Sequence, residues 1–341
     1  MHPRTYALTF MTLAMGLFLA VVGMNLAIDT QGVFGTGLLG KPLNPNVRYQ
    51  RFVAYEAASG RYDGLLFGSS RAFDLPEPLQ RMGGATFADF SVQFGLIADH
   101  LPMLEYALRE KAEKHERLRA VFLLLDADSV GDPPQTNRYL QTLLAPPLTG
   151  EQPLRFWWRY LTAIQVGTWR GEIVRAWKKA SAARDVATAS TPGPAAGGET
   201  RAAAARMPPN VHAPESPGAE PASARITARR DYARQLRLLQ QFAALCERHE
   251  VRLIVAIAPL SREEAAKYDP AELTKVIDEV SRIVPAWDFT SSQWLAEHPE
   301  LWSDSRHFAP EVGRLMLARI FGDAAVTVPG DFGRLRTPKG R

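Results

Sequence analysis

The sequence predicts an α/β protein in which a parallel β-sheet carries helices on both faces, preceded by one membrane-spanning helix at the N-terminus. Three observations lead there. The runs Gly64–Phe67 and Ala120–Leu125 are apolar throughout, as strands covered on both faces are. Segments with apolar residues at helical spacing separate these runs from each other and from the later run Val251–Ile257, and strands alternating with helices build right-handed parallel crossovers. Ahead of all of them, no charged residue interrupts the stretch from Tyr6 to Ile28.

That stretch exceeds the roughly 18 apolar residues that mark a membrane helix, so residues 1–28 read as an anchor. The exit Met24-Asn25-Leu26-Ala27-Ile28-Asp29 lacks the small-x-small pattern of a cleavable signal peptide. Arg4 lies before the span, Asp29 just after it, and Lys41 and Arg48 later, which favours a cytoplasmic N-terminus with the rest of the chain extracytoplasmic. Residues 29–60 are a Gly- and Pro-rich linker ending in a helix over Val47–Ala58. Within it, Gly35-Thr-Gly37-Leu-Leu-Gly40-Lys41 has the spacing of phosphate-binding loops. Pro42 stands where Ser or Thr is required, however, and no strand precedes the run, so a flexible linker is expected.

The α/β domain is expected over 61–322. Its strands are Gly64–Phe67, Thr86–Phe90, Ala120–Leu125, Val251–Ile257 and Val284–Phe289, with Asp89 weakening the second. Its helices are His100–Arg117, with Leu101, Leu104, Ala107 and Leu108 on one face, then Asp231–Arg248, Pro270–Ile283 and a last helix ending at Phe321. Two insertions interrupt it. Residues 137–180 interleave aromatics with arginines, as in Leu154-Arg-Phe-Trp-Trp-Arg-Tyr-Leu161, a pattern that suits a lid, a membrane surface or Arg-snorkelled packing. Residues 181–228 are dominated by Ala, Pro, Gly, Ser and Thr and should be disordered. Residues 323–341 are a tail.

A chain of 341 residues, 46% of them apolar, can bury one large core. Its net charge of +4 is spread among acids and bases without a basic stripe, which argues against nucleic acid as a partner. The single cysteine, Cys246, excludes an internal disulfide or a CxxC site and reads as buried helix packing. His2, His100, His115, His212, His249 and His298 show no HExxH-type spacing, and neither metal nor other cofactor is expected.

The residues that carry chemistry lie at two places. Phe67-Gly68-Ser69-Ser70-Arg71 ends the first strand, where a side chain projects into the crevice in which open α/β sheets bind ligands. Trp302-Ser-Asp304-Ser-Arg-His307-Phe308-Ala-Pro310 precedes the last helix. A spacing of three lets one turn bring Asp304 to one ring nitrogen of His307 while the other faces a serine hydroxyl, the arrangement that activates a nucleophile. Taken apart, Ser69 and Ser70 read equally as helix caps, and Asp304 as a turn cap. Asp126 and Asp128 invite a paired-carboxylate glycosidase reading, but no further acid has a defined relation to them.

The Gly-Ser-Ser-Arg block after the first strand, with Asp-x-x-His-Phe-x-Pro near the C-terminus, resembles the SGNH (GDSL-type) esterase and acyltransferase superfamily. The form Gly-Ser-Ser-Arg with Asp-x-x-His-Phe-x-Pro resembles its membrane-anchored bacterial branch, related to proteins that acylate cell-surface polymers. The resemblance covers roughly 60–135 and 229–322. It implies a flavodoxin-like parallel sheet, with Ser70 as nucleophile, His307 as base, Asp304 as its orienter, and an oxyanion hole from the backbone N–H groups of Ser70 and Gly95. It departs from the pattern at the third block, where Leu125-Asp126-Ala127-Asp128 offers no asparagine donor. The implied function is serine-dependent acyl-ester transfer or hydrolysis on an extracytoplasmic, carbohydrate-type substrate, at a bacterial cytoplasmic membrane and beside a membrane-bound acyltransferase partner. The missing asparagine leaves a second reading open, a non-catalytic subunit of an envelope assembly that keeps the fold.

Overall fold

The computed structural model describes residues 3–42, 44–127, 142–189 and 232–338. Asp128, residues 137–141 and residues 190–228 of the expected disordered segment lie outside the described residues. In chain order the first elements are α1 (Pro3–Ile28), α2 (Val47–Ala58), β1 (Gly64–Phe67), α3 (Pro76–Met82), β2 (Phe87–Asp89), α4 (Ile97–Glu113) and β3 (Ala120–Leu125). Then come α5 (Pro146–Thr149), α6 (Pro153–Leu161), α7 (Val166–Ala189), α8 (Tyr232–Arg248), β4 (Arg252–Ile257), α9 (Arg262–Ala265) and α10 (Pro270–Ile283). The chain ends with β5 (Ala286–Asp288), α11 (Gln293–Ala296), α12 (Pro310–Phe321) and β6 (Arg334–Arg336).

Two compact units result, one from Met1–Asn46 and Glu151–Pro221, the other from Val47–Gly150 and Ala222–Arg341. In the first, α1 is long and apolar enough to cross a membrane. The glycine-rich stretch after it, expected as a flexible linker, is ordered around Asp29. That carboxylate accepts from the N–H groups of Val33 at 2.8 Å, Phe34 at 3.1 Å and Gly35 at 2.8 Å. The aromatic and arginine-rich insertion forms α6 and α7. Residues 181–189, expected to be disordered, continue α7, because their alanine-rich run contains neither Gly nor Pro.

The second unit is built on one six-stranded sheet of order β2-β1-β3-β4-β5-β6. The first five strands are parallel, and the order reverses direction between β1 and β3. The sixth corrects the expectation of a wholly parallel sheet and a featureless tail: β6 pairs antiparallel to β5, with Leu335 opposite Trp287. Phe332, fully buried against Phe289 and Trp294, anchors the return, and Arg336 pairs with Asp288 at 3.1 Å. Alternate residues of the strands feed two cores, as the two-residue period of a strand requires. Leu65, Phe67, Val121, Leu123, Val255 and Ile257 share one with Leu104, Phe242 and Val280 from α4, α8 and α10. Leu66, Phe122, Leu124 and Ala256 share the other with Leu79 of α3 and Val312 and Met316 of α12. Cys246 is buried in the first core, and that burial pushes its thiol up to about 12.

Candidate active site

Ser69 and Ser70 follow β1 in a single turn of 3₁₀ helix over Ser70–Ala72, and the structure separates their roles. Ser69 caps the turn, its Oγ accepting from the Arg71 N–H at 3.2 Å. Ser70 stands at the first position of the turn with its side chain directed elsewhere, its Oγ 2.8 Å from His307 Nε2. Gly68 is needed where β1 ends, because a Cβ there would come within 2.8 Å of Ala72 Cβ and 3.2 Å of the Leu124 backbone oxygen.

Asp304 and His307 belong to a tight loop closed by the antiparallel bridge between Trp302 and Phe308 and by hydrogen bonds from Ser303 N to His307 O (2.8 Å) and from Ala309 N to Leu301 O (2.7 Å). Asp304 Oδ1 accepts from the Arg306 and His307 backbone N–H groups, both at 2.8 Å, and Oδ2 stands 2.8 Å from His307 Nδ1. Partial burial alone would raise the Asp304 pKa. The N–H groups of Arg306 and His307 and the His307 ring outweigh it, and the net shift is downward from 3.8. An ionised Asp304 at neutral pH accepts the hydrogen bond of His307 Nδ1–H, which fixes the tautomer and leaves Nε2 with its lone pair toward Ser70. All three residues expected at the site are therefore in one hydrogen-bonded line, with His307 28% and Asp304 43% exposed at the side chain and so open to a ligand.

Gly95 is held in the loop between β2 and α4, and its expected role as second oxyanion donor meets an obstacle. Its N–H already donates to Val92 O at 3.0 Å, because the loop closes as a turn at that point. The glycine itself is required by close approach: a Cβ would come within 2.6 Å of Gly68 O and 2.9 Å of the His100 ring. Phe94, just before it, is exposed and adopts φ 51°, an uncommon conformation for an aromatic residue. The loop is locked from below by Arg48 of α2, which donates to Gln93 O at 2.8 Å and pairs at 3.1 Å with buried Asp99.

A charged cluster beside the triad is what reading the sequence missed. Arg71, next to Ser70 and almost fully buried, lies 3.5 Å from Asp126 at the end of β3 and 3.9 Å from Glu264 of α9. Glu264, equally buried, lies 3.7 Å from Arg306 on the Asp304 loop and 2.9 Å from Lys267. Ser261, which caps α9, donates to Ser305 O at 2.6 Å. The segment after β4 thus grips both the Ser70 turn and the Asp304–His307 loop. Asp126, considered as half of a catalytic carboxylate pair, is instead an ion-pair partner of Arg71. The only sequence signal was the clustering of charge directly after apolar strand ends.

No family model matches this chain, and no curated protein matches it either.

Proposed function

We propose that the second unit is an SGNH-type serine acyl-ester enzyme, a hydrolase or an O-acyltransferase, tethered by α1 to a bacterial cytoplasmic membrane and working on its extracytoplasmic side. The observation that carries this reading is the unbroken line from Ser70 Oγ through His307 to the Asp304 carboxylate. In the mechanism it implies, His307 Nε2 takes the Ser70 proton as Oγ attacks the acyl carbon of an ester. The tetrahedral intermediate collapses as His307 gives that proton to the departing alkoxide. An alcohol or water then enters, His307 removes its proton, and the acyl group leaves Ser70, which regains its proton. Asp304 stays ionised throughout and stabilises the imidazolium. A carbohydrate hydroxyl is the favoured acceptor and a membrane-bound acyltransferase the favoured partner, both by the resemblance of the two motifs.

The oxyanion would be met by the Ser70 N–H, which at the first position of its turn has no partner within that turn. A second donor requires the Gly95 turn to open or the acceptor to bring its own. One absent donor costs about 2.7–4 kcal/mol of transition-state stabilisation. The engaged Gly95 N–H and the Arg71-paired Asp126 favour the second reading, a non-catalytic subunit, to that extent. Labelling of the full chain in detergent with a serine-directed fluorophosphonate separates the two. The expected result is labelling that disappears in Ser70→Ala; undiminished labelling of that variant, or none of the parent chain, removes the enzyme reading.

A further inference from the structure

The first unit contains a surface that the proposed chemistry does not use. Along α6 and into α7, Leu154 (83% exposed), Ile164 (75%) and Trp177 (69%) face outward, as do Trp158, Val166 and Ile173. So many large apolar side chains on two adjacent short stretches exceed the scattered single residues normal at a water-facing surface. Their placement is tied to α1. Trp158 packs on Phe18 with ring centroids 5.7 Å apart, and Phe18 lies seven residues before Asn25, about 10 Å deeper along the helix. Interfacial helices sink about 5–10 Å into the boundary between headgroups and acyl chains, an offset comparable to that between Phe18 and Asn25.

The polar groups at this level are satisfied. The Asn25 amide nitrogen donates to Leu161 O at 2.8 Å and Ala163 O at 2.9 Å, covering carbonyls left free at the end of α6, and its oxygen accepts from Trp169 Nε1 at 3.1 Å. Such pairing is what backbone at the edge of hydrocarbon requires. Between residues 151 and 181 the chain carries six cations, Arg155, Arg159, Arg170, Arg175, Lys178 and Lys179, against two acids: Glu151, which lies 2.6 Å from Arg159 and 3.7 Å from Arg155, and Glu172, paired with Arg175 at 2.6 Å. That excess of positive charge complements lipid phosphates.

We propose that α6 and the first turns of α7 are embedded in the phospholipid leaflet that receives the C-terminal end of α1, their exposed apolar side chains among the acyl chains and their cations at the phosphates. The proposal rests on reading α1 as a membrane anchor. To test it, the full chain with Cys246→Ala is reconstituted in phosphatidylethanolamine–phosphatidylglycerol vesicles and spin-labelled singly at Leu154→Cys, Ile164→Cys or Trp177→Cys. Leu13→Cys on α1 and Glu263→Cys in the second unit serve as references, and collision with oxygen is compared with collision with a water-soluble nickel chelate. All five positions are exposed, so labels there leave packing intact. The expected result is an oxygen-to-nickel ratio at 154, 164 and 177 shifted to the value at 13 and away from that at 263. Nickel access at the three sites with Leu13 still lipid-like overturns the proposal alone, and so does shielding from both reagents, which would mean that protein covers the face. Nickel access at Leu13 as well overturns the anchor reading and the proposal together.

Discussion

Ser70 is placed by neighbours that do other work. Ser69 absorbs the capping duty, Gly68 lets β1 approach Leu124, and Arg71 pairs with Asp126 and Glu264, while the Ser70 hydroxyl meets His307. Glu264 bridges the Ser70 turn and the His307 loop, which makes it a positioning residue for the proposed chemistry. Glu264→Gln keeps its shape while weakening its hold on Arg71 and Arg306. We expect kcat for an aryl ester to fall about 10–100-fold with KM nearly unchanged, as a small misplacement of reacting groups does. Glu264→Asp should recover part of the loss; a change confined to KM would show that Glu264 acts on substrate binding instead. The meeting of Ser70, His307 and Asp304 was legible, because Asp304-x-x-His307 and the Gly-Ser-Ser turn are local patterns whose expected chemistry needs those residue types. Arg71, Glu264 and Arg306 were not legible, since charges far apart in sequence look like surface charges until the strand ends bring them together. The state of the Gly95 N–H was equally hidden, being a property of turn conformation.

At the scale of elements, the β2–α4 loop depends on His100 at the start of α4. His100 is wholly buried beside Phe67, and its Nδ1 has no hydrogen-bond partner among the described residues. Burial, with a further contribution from the Arg48 charge, pushes its pKa down from 6.5 to about 3. The unfolded chain therefore takes up a proton near pH 6.5 that the folded chain refuses until about pH 3. His100 leaves stability unaffected above that range and lowers it as the pH drops below 6.5. Thermal melting of the detergent-solubilised chain from pH 7 to pH 5 should show a steeper fall than the same series on His100→Phe; parallel slopes would contradict a neutral buried His100. Strands β1 and β3 and helix α10 begin and end where the sequence pattern places them, and α12 ends there, because apolar runs and a proline start mark those bounds. β6 escaped notice because Arg334-Leu-Arg336 has one apolar residue and depends on Phe332 packing for its place.

For the whole molecule, parallel strands of order 2-1-3-4-5 set the end of β1 beside the ends of β2 and β3, where the order reverses and ligands bind in open α/β sheets. The charged residues after β3 and β4 complete that end of the sheet, while the α1 unit supplies an apolar helix and an apolar, cationic surface. The α/β class, the apolar helix and the residues that meet in the Ser70–His307–Asp304 line could all be read from the chain. The division into two units could not, since the segments that form the first are separated by more than a hundred residues and only folding joins them. The central claim is that Ser70 carries an acyl group during turnover. Mass spectrometry of the full chain quenched during incubation with an aryl acetate tests it directly: one acetyl group is expected on the peptide containing Ser70, absent in Ser70→Ala and in His307→Ala. Acetyl found only on other residues, or hydrolysis that continues at full rate without a Ser70 adduct in either variant, would contradict it.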